Sequence, residues 1–268
     1  MIENKWFLQW YPDSFEPYAP ELLKYALEYI RLEPTALPSG ESLPLTASKY
    51  SGNPYLPVGA TYPMDKNGVP MVLLAQINFS EVPTEKDYPE LLDFPSHGIF
   101  QFFSSVNWKK TDDYKTVYYE TIGEPQKDFS FLNPELLGQS PIECEHSLAI
   151  SLGHDPGSLE DFRFNYSFDG KNLNEFIEEL EEEDEEEEVE EIEDFLNNEG
   201  HRMGGYGHFI QFDPRKDKKE LQNHVLLLQI DCAPQIQFGF NGIVHLFIDR
   251  DDLRAKRFDK TYFHWEIA

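Results

Sequence analysis

Val72-Leu73-Leu74-Ala75-Gln76-Ile77-Asn78 is an apolar run closed by two polar residues that alternate with an isoleucine, and it returns as Val225-Leu226-Leu227-Leu228-Gln229-Ile230-Asp231. Five of the seven positions are identical, and the last pairs Asn with the near-isosteric Asp. A run of this length, rich in aliphatic residues and bounded by turn-forming stretches, reads as a strand buried on both faces. Its flanks repeat too. Gly52 and Gly205 each stand 24 residues before the glutamine of their run, and Lys49 and Arg202 each stand three before that glycine. Downstream, Gly98-Ile99-Phe100-Gln101-Phe102-Phe103 parallels Gly242-Ile243-Val244-His245-Leu246-Phe247. The unit is thus a basic residue, a glycine turn, a strand ending in Gln-Ile-Asn/Asp, a loop and a second strand. Two such units, about 48–104 and 201–248, are too few for a solenoid and predict one pseudo-symmetric domain over residues 1–268.

Working outward, Leu22, Leu23, Ala26, Leu27 and Ile30 recur at helical spacing behind Pro20, which predicts an N-terminal amphipathic helix ending before Pro34. Prolines at 34, 38, 44, 54, 57, 63 and 70 then exclude long helices, and Asn67-Gly68 reads as a tight turn. Further strands are expected at 71–79, 98–104, 116–119, 144–152, 163–168, 225–232, 242–248 and 262–267. Without regular strand-helix alternation the fold class is α+β, largely antiparallel. From Glu175 to Asp194 fifteen of twenty residues are acidic, yet Phe176, Ile177, Leu180, Val189, Ile192, Phe195 and Leu196 keep helical spacing. This predicts a solvated acidic helical insert that docks through its ends and is peripheral to folding. His154-Asp155-Pro156-Gly157 reads as a turn, and Asp249-Arg250-Asp251-Asp252 as a helix start.

A chain of 268 residues that is 40% hydrophobic and 15% aromatic has enough apolar mass for a continuous core. Its formal net charge of −28, from 50 acidic and 22 basic residues, repels nucleic acid and anionic membrane surfaces. No apolar run is long enough to span a bilayer, and Met1-Ile2-Glu3-Asn4-Lys5-Trp6 lacks the pattern of a secretory leader. Cys144 and Cys232, without CxxC spacing, fit a reducing compartment, so the expected location is cytoplasmic.

The chain resembles the YwqG family of uncharacterised bacterial proteins. The resemblance rests on Ser48-Lys49-Tyr50-Ser51-Gly52-Asn53-Pro54-Tyr55-Leu56-Pro57, on Leu73 to Asn78, on His201-Arg202-Met203-Gly204-Gly205-Tyr206, on Gln211-Phe212-Asp213-Pro214-Arg215 and on Leu226 to Asp231. It implies an α+β fold and a bacterial cytoplasmic setting, with no established activity. Two departures concern the turns: Ser51 stands where the family usually has Gly, and Gly207 where it often has Pro.

The candidate binding residues are Lys49, Gly52, Gln76, Asn78, His201, Arg202, Gly205, Gln211, Asp213, Arg215, Gln229 and Asp231. If the units face each other, the polar groups of the two Gln-Ile-Asn/Asp ends converge on a seam suited to a polar ligand. In the bland alternative they satisfy loop backbone groups. Around Gly204-Gly205-Tyr206-Gly207, Arg202 and Arg215 either clamp an anion or pair internally with carboxylates such as Asp213. Cys144-Glu145-His146 offers too few ligands for zinc, and Glu143 and Glu145 oppose a reactive thiolate. No cofactor or metal motif is present. These readings favour a non-enzymatic module that binds a protein or a small polar ligand; the alternative is an enzyme acting on a small polar or anionic substrate between the units, with His201, Asp213 or Asp231 moving protons.

Overall fold

The computed structural model describes residues 11–84, 89–132 and 140–268; the leader reading at residues 1–6 lies outside them. The two repeated runs are strands β3 (Val72–Asn78) and β8 (His224–Ile230) of one antiparallel sheet. Its other strands among the described residues are β1 (Leu27–Ala36), β2 (Lys49–Tyr50), β4 (Ile99–Ser104), β5 (Tyr114–Tyr119), β6 (His146–Asp155), β7 (His201–Gly204), β9 (Ile243–Asp249) and β10 (Thr261–Glu266). The order is β10-β9-β8-β7-β1-β6-β2-β3-β4-β5. Outward from the central β1·β6 pair, β7, β8, β9 and β10 follow on one side as β2, β3, β4 and β5 follow on the other. Register agrees as well: Lys49 faces Gln76 and Arg202 faces Gln229, and each run carries a bulge, between Leu73 and Ala75 and between Leu226 and Leu228.

The sheet curls until its edges meet, giving a nearly closed barrel. The Tyr114 hydroxyl on β5 donates to the Thr261 carbonyl on β10, and Phe102 stacks edge-on against Phe263 at 5.2 Å. These side-chain contacts cover edge strands that would otherwise expose unpaired backbone. Inside lie Ile30, Leu32, Tyr50, Ala75, Ile77, Phe100, Phe102, Met203, Leu228, Ile230, Val244 and Leu246, while Gln76, Gln229 and Phe103 alternate outward.

On the outer face an aromatic layer joins Phe15, Leu22, Phe164, Phe168, Ile192, Leu196 and Tyr206. It receives the acidic insert as two helices, α2 (Leu173–Glu182) and α3 (Glu186–Phe195); the short α1 (Ala19–Leu22) precedes them and α4 (Arg250–Arg254) follows β9. A reciprocal capping box between Asn172 and Glu175 starts α2. Phe176, Ile177 and Leu180 pack on the layer, whereas residues 181–187 are exposed. Among the described residues no helix is long and apolar enough to cross a membrane.

Three expectations are corrected. The N-terminal helix stops at Leu22, and Leu27–Ala36 is instead the central strand β1. Glu28, Ile30 and Leu32 alternate with Leu27, Tyr29 and Arg31, so full pairing with β6 and β7 overrides the local helical spacing. Residues 163–168 are not a strand: Arg163 ends a turn that Asp161 ties through its side chain and backbone, 164–167 are irregular, and Phe168 makes only an isolated bridge to Lys171. His154 and Asp155 are the last residues of β6, opposite Glu28 and Leu27, not a turn.

Candidate functional site

The glutamines of the two runs hold loops onto the outer face of the sheet. Gln76 Nε2 donates to the carbonyls of Leu45 (2.8 Å) and Ala47 (2.7 Å), and its Oε1 accepts from the Tyr55 amide at 2.7 Å. Gln229 makes the same set with Asn198 (3.0 Å), Gly200 (2.8 Å) and the His208 amide (3.0 Å). The partners lie 31, 29 and 21 positions upstream in both cases. The neighbouring strand completes each set, with Gln101 Nε2 on the Tyr55 carbonyl and His245 Nε2 on the His208 carbonyl. Asn78 and Asp231 cap adjoining backbone: Asn78 Oδ1 accepts from the Ser80 amide, and Asp231 accepts from the amides of Gly200 and Cys232.

The basic residues are engaged as well. Buried Lys49 pairs with Glu145 at 2.7 Å, and buried Arg202 with Asp155 at 2.7 Å, its guanidinium 4.3 Å from the centre of the Tyr29 ring. Burial pushes the Asp155 carboxyl up against the pull of Arg202. Ser51 and Gly52, like Gly204 and Gly205, are in the left-handed region, and a Cβ at Gly52 or Gly205 would strike Glu145 or Asp155 respectively. Glycine is thus required where each turn closes over its carboxylate. Four strands separate β3 from β8, and among the described residues no hydrogen bond or ion pair joins their polar ends. The expected convergence does not occur.

Asp213 and Arg215 belong to a third network. Arg215, fully buried, reaches Asp213 through two bonds (2.9 and 2.7 Å) and Asp161 through one (2.7 Å), while Arg163 forks onto Asp161 (2.9 and 2.6 Å). Burial opposes ionisation of Asp161, yet Arg163 and Arg215 hold its carboxyl well below the usual range. Gln211 donates to the Ile267 carbonyl at 2.8 Å, away from both glycine turns. His201 points into the barrel beside Tyr50, ring centres 5.4 Å apart; burial, aided by His146, lowers its pKa to about 4 and keeps it neutral.

Of the candidate residues, His201 and Arg202 border an open cavity of about 420 Å³ and Asp231 another of about 660 Å³. Two further cavities, one of them touching Gly205, lie at the barrel end where β1, β8 and β10 begin and β6, β7 and β9 finish. The turn Pro89–Asp93 packs there against β1 and α4. The more polar of the two, about 340 Å³ on one side of residues 91–94, is lined by Lys24, Glu28, Asp93, Arg163, His224 and Arg250 together with apolar Leu27, Leu91, Phe94 and Leu253. An apolar one of about 430 Å³ on the other side is lined by Ile30, Phe79, Leu91, Phe94, Arg254 and Lys256 among others. Asp93 stands between them, accepting from Arg250 Nε at 2.6 Å and Arg254 Nε at 2.7 Å. Burial would raise its carboxyl, but the hydrogen bonds from Arg254 and Arg250 prevail and lower it.

Residues 48–266 match a protein family described as a domain of unknown function, DUF1963, which is most of the chain and includes every strand from β2 to β10. The chain belongs to the DUF1963 family. No curated protein matches it. The DUF1963 span contains all twelve candidate residues, but it begins after β1, so Lys24 and Glu28 of the polar cavity lie upstream of it. Among the described residues of this DUF1963 chain no three His, Cys, Asp or Glu side chains gather as a metal site would require. Both cysteines are free; burial, with Glu143 at Cys144 and Asp231 at Cys232, raises their thiols away from reactivity.

Apart from Gly205, the cavity residues escaped the sequence reading because they come from eight separate segments, around 24–30, 79–84, 91–96, 152, 163, 204–206, 222–225 and 250–256. The available signal was Arg250, Arg254 and Lys256 clustered on and just after a short helix, which read only as a helix start.

Proposed function

We propose that this DUF1963 protein is a binding module that takes a small anionic ligand at the mouth of its barrel. The observation that carries the reading is a local reversal of charge. The chain has 22 basic and 50 acidic residues, yet the two cavities are lined by Lys24, Arg163, Arg250, Arg254 and Lys256 against Glu28 and Asp93 alone. Lys24, Arg254 and Lys256 hold their other carboxylate partners, Glu21, Asp251 and Glu120, on the exposed surface. Such pairs are weak and exchange readily for a ligand. The polar cavity also presents His224, whose Nδ1 is buried without a hydrogen bond.

Binding is favoured over catalysis because the groups that could move protons are committed: Asp213 to Arg215, Asp231 to two amides, and His201 to the neutral interior. In this reading the twelve residues chosen from the sequence are the frame that sets the strands. The matched bond sets of Gln76 and Gln229 support an internal duplication, and the reduced cysteines and the YwqG-like motifs inside the matched span support a bacterial cytoplasmic protein. Calorimetry with citrate and pyrophosphate tests the site. Binding that weakens at least tenfold in Lys24→Glu/Arg250→Glu is expected; absence of binding by either anion, or binding indifferent to these changes, removes the proposal.

A further inference from the structure

We infer that the anion is the carboxylate of an amphiphile of the medium-chain fatty-acid class, its alkyl chain lying in the apolar cavity. This rests on the anion-binding reading above and specifies its ligand. The apolar cavity descends from a cationic rim, Arg254 and Lys256, to the aliphatic and aromatic floor of the barrel, where Ile30 and Phe79 are each 1% exposed. Leu152 and Val82 complete the walls, and Leu92, 75% exposed, stands at the entrance. At about 430 Å³ the space lies in the range that holds small ligands, and its charged lining residues are Asp93, Arg254 and Lys256.

Asp93 supplies the second observation. Its carboxylate already sits between one guanidinium of each cavity, Arg250 on the polar side and Arg254 on the apolar side. A carboxylate is therefore a chemical fit to that point of the mouth. Arg254 spends two of its five N–H donors, on Asp93 and on Asp251, and its side chain is 51% exposed. A ligand head at the rim meets these remaining donors and the Lys256 ammonium, while its chain replaces water along Phe79, Leu91 and Phe94. A purely polar anion would leave those walls wet, and an alkane would gain nothing from the remaining donors of Arg254 and Lys256 at the rim.

The test is calorimetric titration of the full chain with hexanoate, octanoate and decanoate, each below its micelle concentration, beside decanol and citrate. Affinity is expected to rise about fourfold for each added methylene, the equivalent of about 0.8 kcal/mol per buried CH₂. Decanol should bind at least tenfold more weakly than decanoate, and Arg254→Gln/Lys256→Gln should erase that difference. Filling the cavity with Leu152→Trp, or with Val82→Trp nearer the rim should the first variant not fold, is expected to abolish decanoate binding and leave citrate binding. Affinity independent of chain length, or decanol equal to decanoate in the wild type, overturns the inference. Citrate bound without decanoate overturns it while leaving the anion site standing; neither ligand bound removes both.

Discussion

Replacing Arg215 with Met measures how much of the fold rests on one buried ionic network. Among the described residues Arg215 is the largest fully buried side chain, and it links Asp213, Asp161 and the His224 carbonyl while its guanidinium lies 4.5 Å from the centre of the Phe247 ring. Methionine matches much of the volume and none of the charge. Asp161 would keep the Arg163 fork and the Gly207 amide. Asp213 would keep only the amides of Arg215's own position (2.9 Å) and Phe162 (3.3 Å), leaving a buried carboxylate without a cation. Breaking such a pair costs about 3–5 kcal/mol, which for a chain of this size lowers the thermal midpoint by about 6–20 °C. Urea unfolding should show a lower midpoint with an unchanged slope, because the surface exposed on unfolding is the same. Adding Asp213→Asn to Arg215→Met should recover part of the loss, since it removes the orphaned charge. A single-variant shift below about 3 °C, corresponding to about 1 kcal/mol, would refute the claim that Arg215 is structural and reopen it as a ligand clamp.

Acid should destabilise the protein through its interior histidines. His201 and His245, neutral when folded with pKa lowered to about 4 and about 3, return to about 6.5 on unfolding. Between pH 6.5 and pH 4 the unfolded chain therefore binds more protons, and stability falls as pH falls, by about 3 kcal/mol for His201 across that window. Urea midpoints from pH 7 to pH 4.5 should drop less steeply in His201→Leu than in wild type; parallel slopes would exclude this histidine as the cause. In the acidic insert, changing exposed Glu182, Glu183, Glu186 and Glu187 to Gln relieves like-charge repulsion and should raise the thermal midpoint by about 1–2 °C at low salt, with the gain shrinking in high salt. A fall in midpoint would mean that these carboxylates hold the insert in place.

The sequence was most legible where packing and polar satisfaction demand the same residues. Apolar runs with outward glutamines marked β3 and β8, and the equal upstream spacing foreshadowed the partners at Leu45 and Ala47 and at Asn198 and Gly200. What could not be read was the direction of those glutamines, because the same alternation serves a ligand seam and a loop anchor. β1 was hidden because its entry residues Leu22, Leu23, Ala26 and Leu27 satisfy a helical period by accident of a turn running into a strand. Only long-range pairing with β6 and β7 decides between the two. The mouth was invisible for a related reason. Asp93 gains meaning only when the chain brings Arg250 and Arg254 to it across some 160 positions, and no local pattern records such a meeting.

A net charge of −28 is compatible with the proposed anion site because charges act over different distances. At about 0.1 M salt, fields from exposed groups fade within about 10 Å, so a ligand seated in the mouth responds to Arg250, Arg254, Lys256 and Lys24 rather than to the acidic insert. A polyanion cannot take the same advantage. Its charges would extend beyond the five cations and meet the surrounding excess of carboxylates, and each phosphate beyond the mouth would be repelled rather than neutralised. The separation also explains how the remaining cations are used. Lys49, Arg202 and Arg215 are withdrawn into buried pairs with Glu145, Asp155, Asp161 and Asp213, where they offset carboxylates that must be buried for the loops to close. In the proposed reading, a small anion that fits within one Debye length of the barrel mouth is thus admitted by the same charge distribution that disfavours a long polyanion.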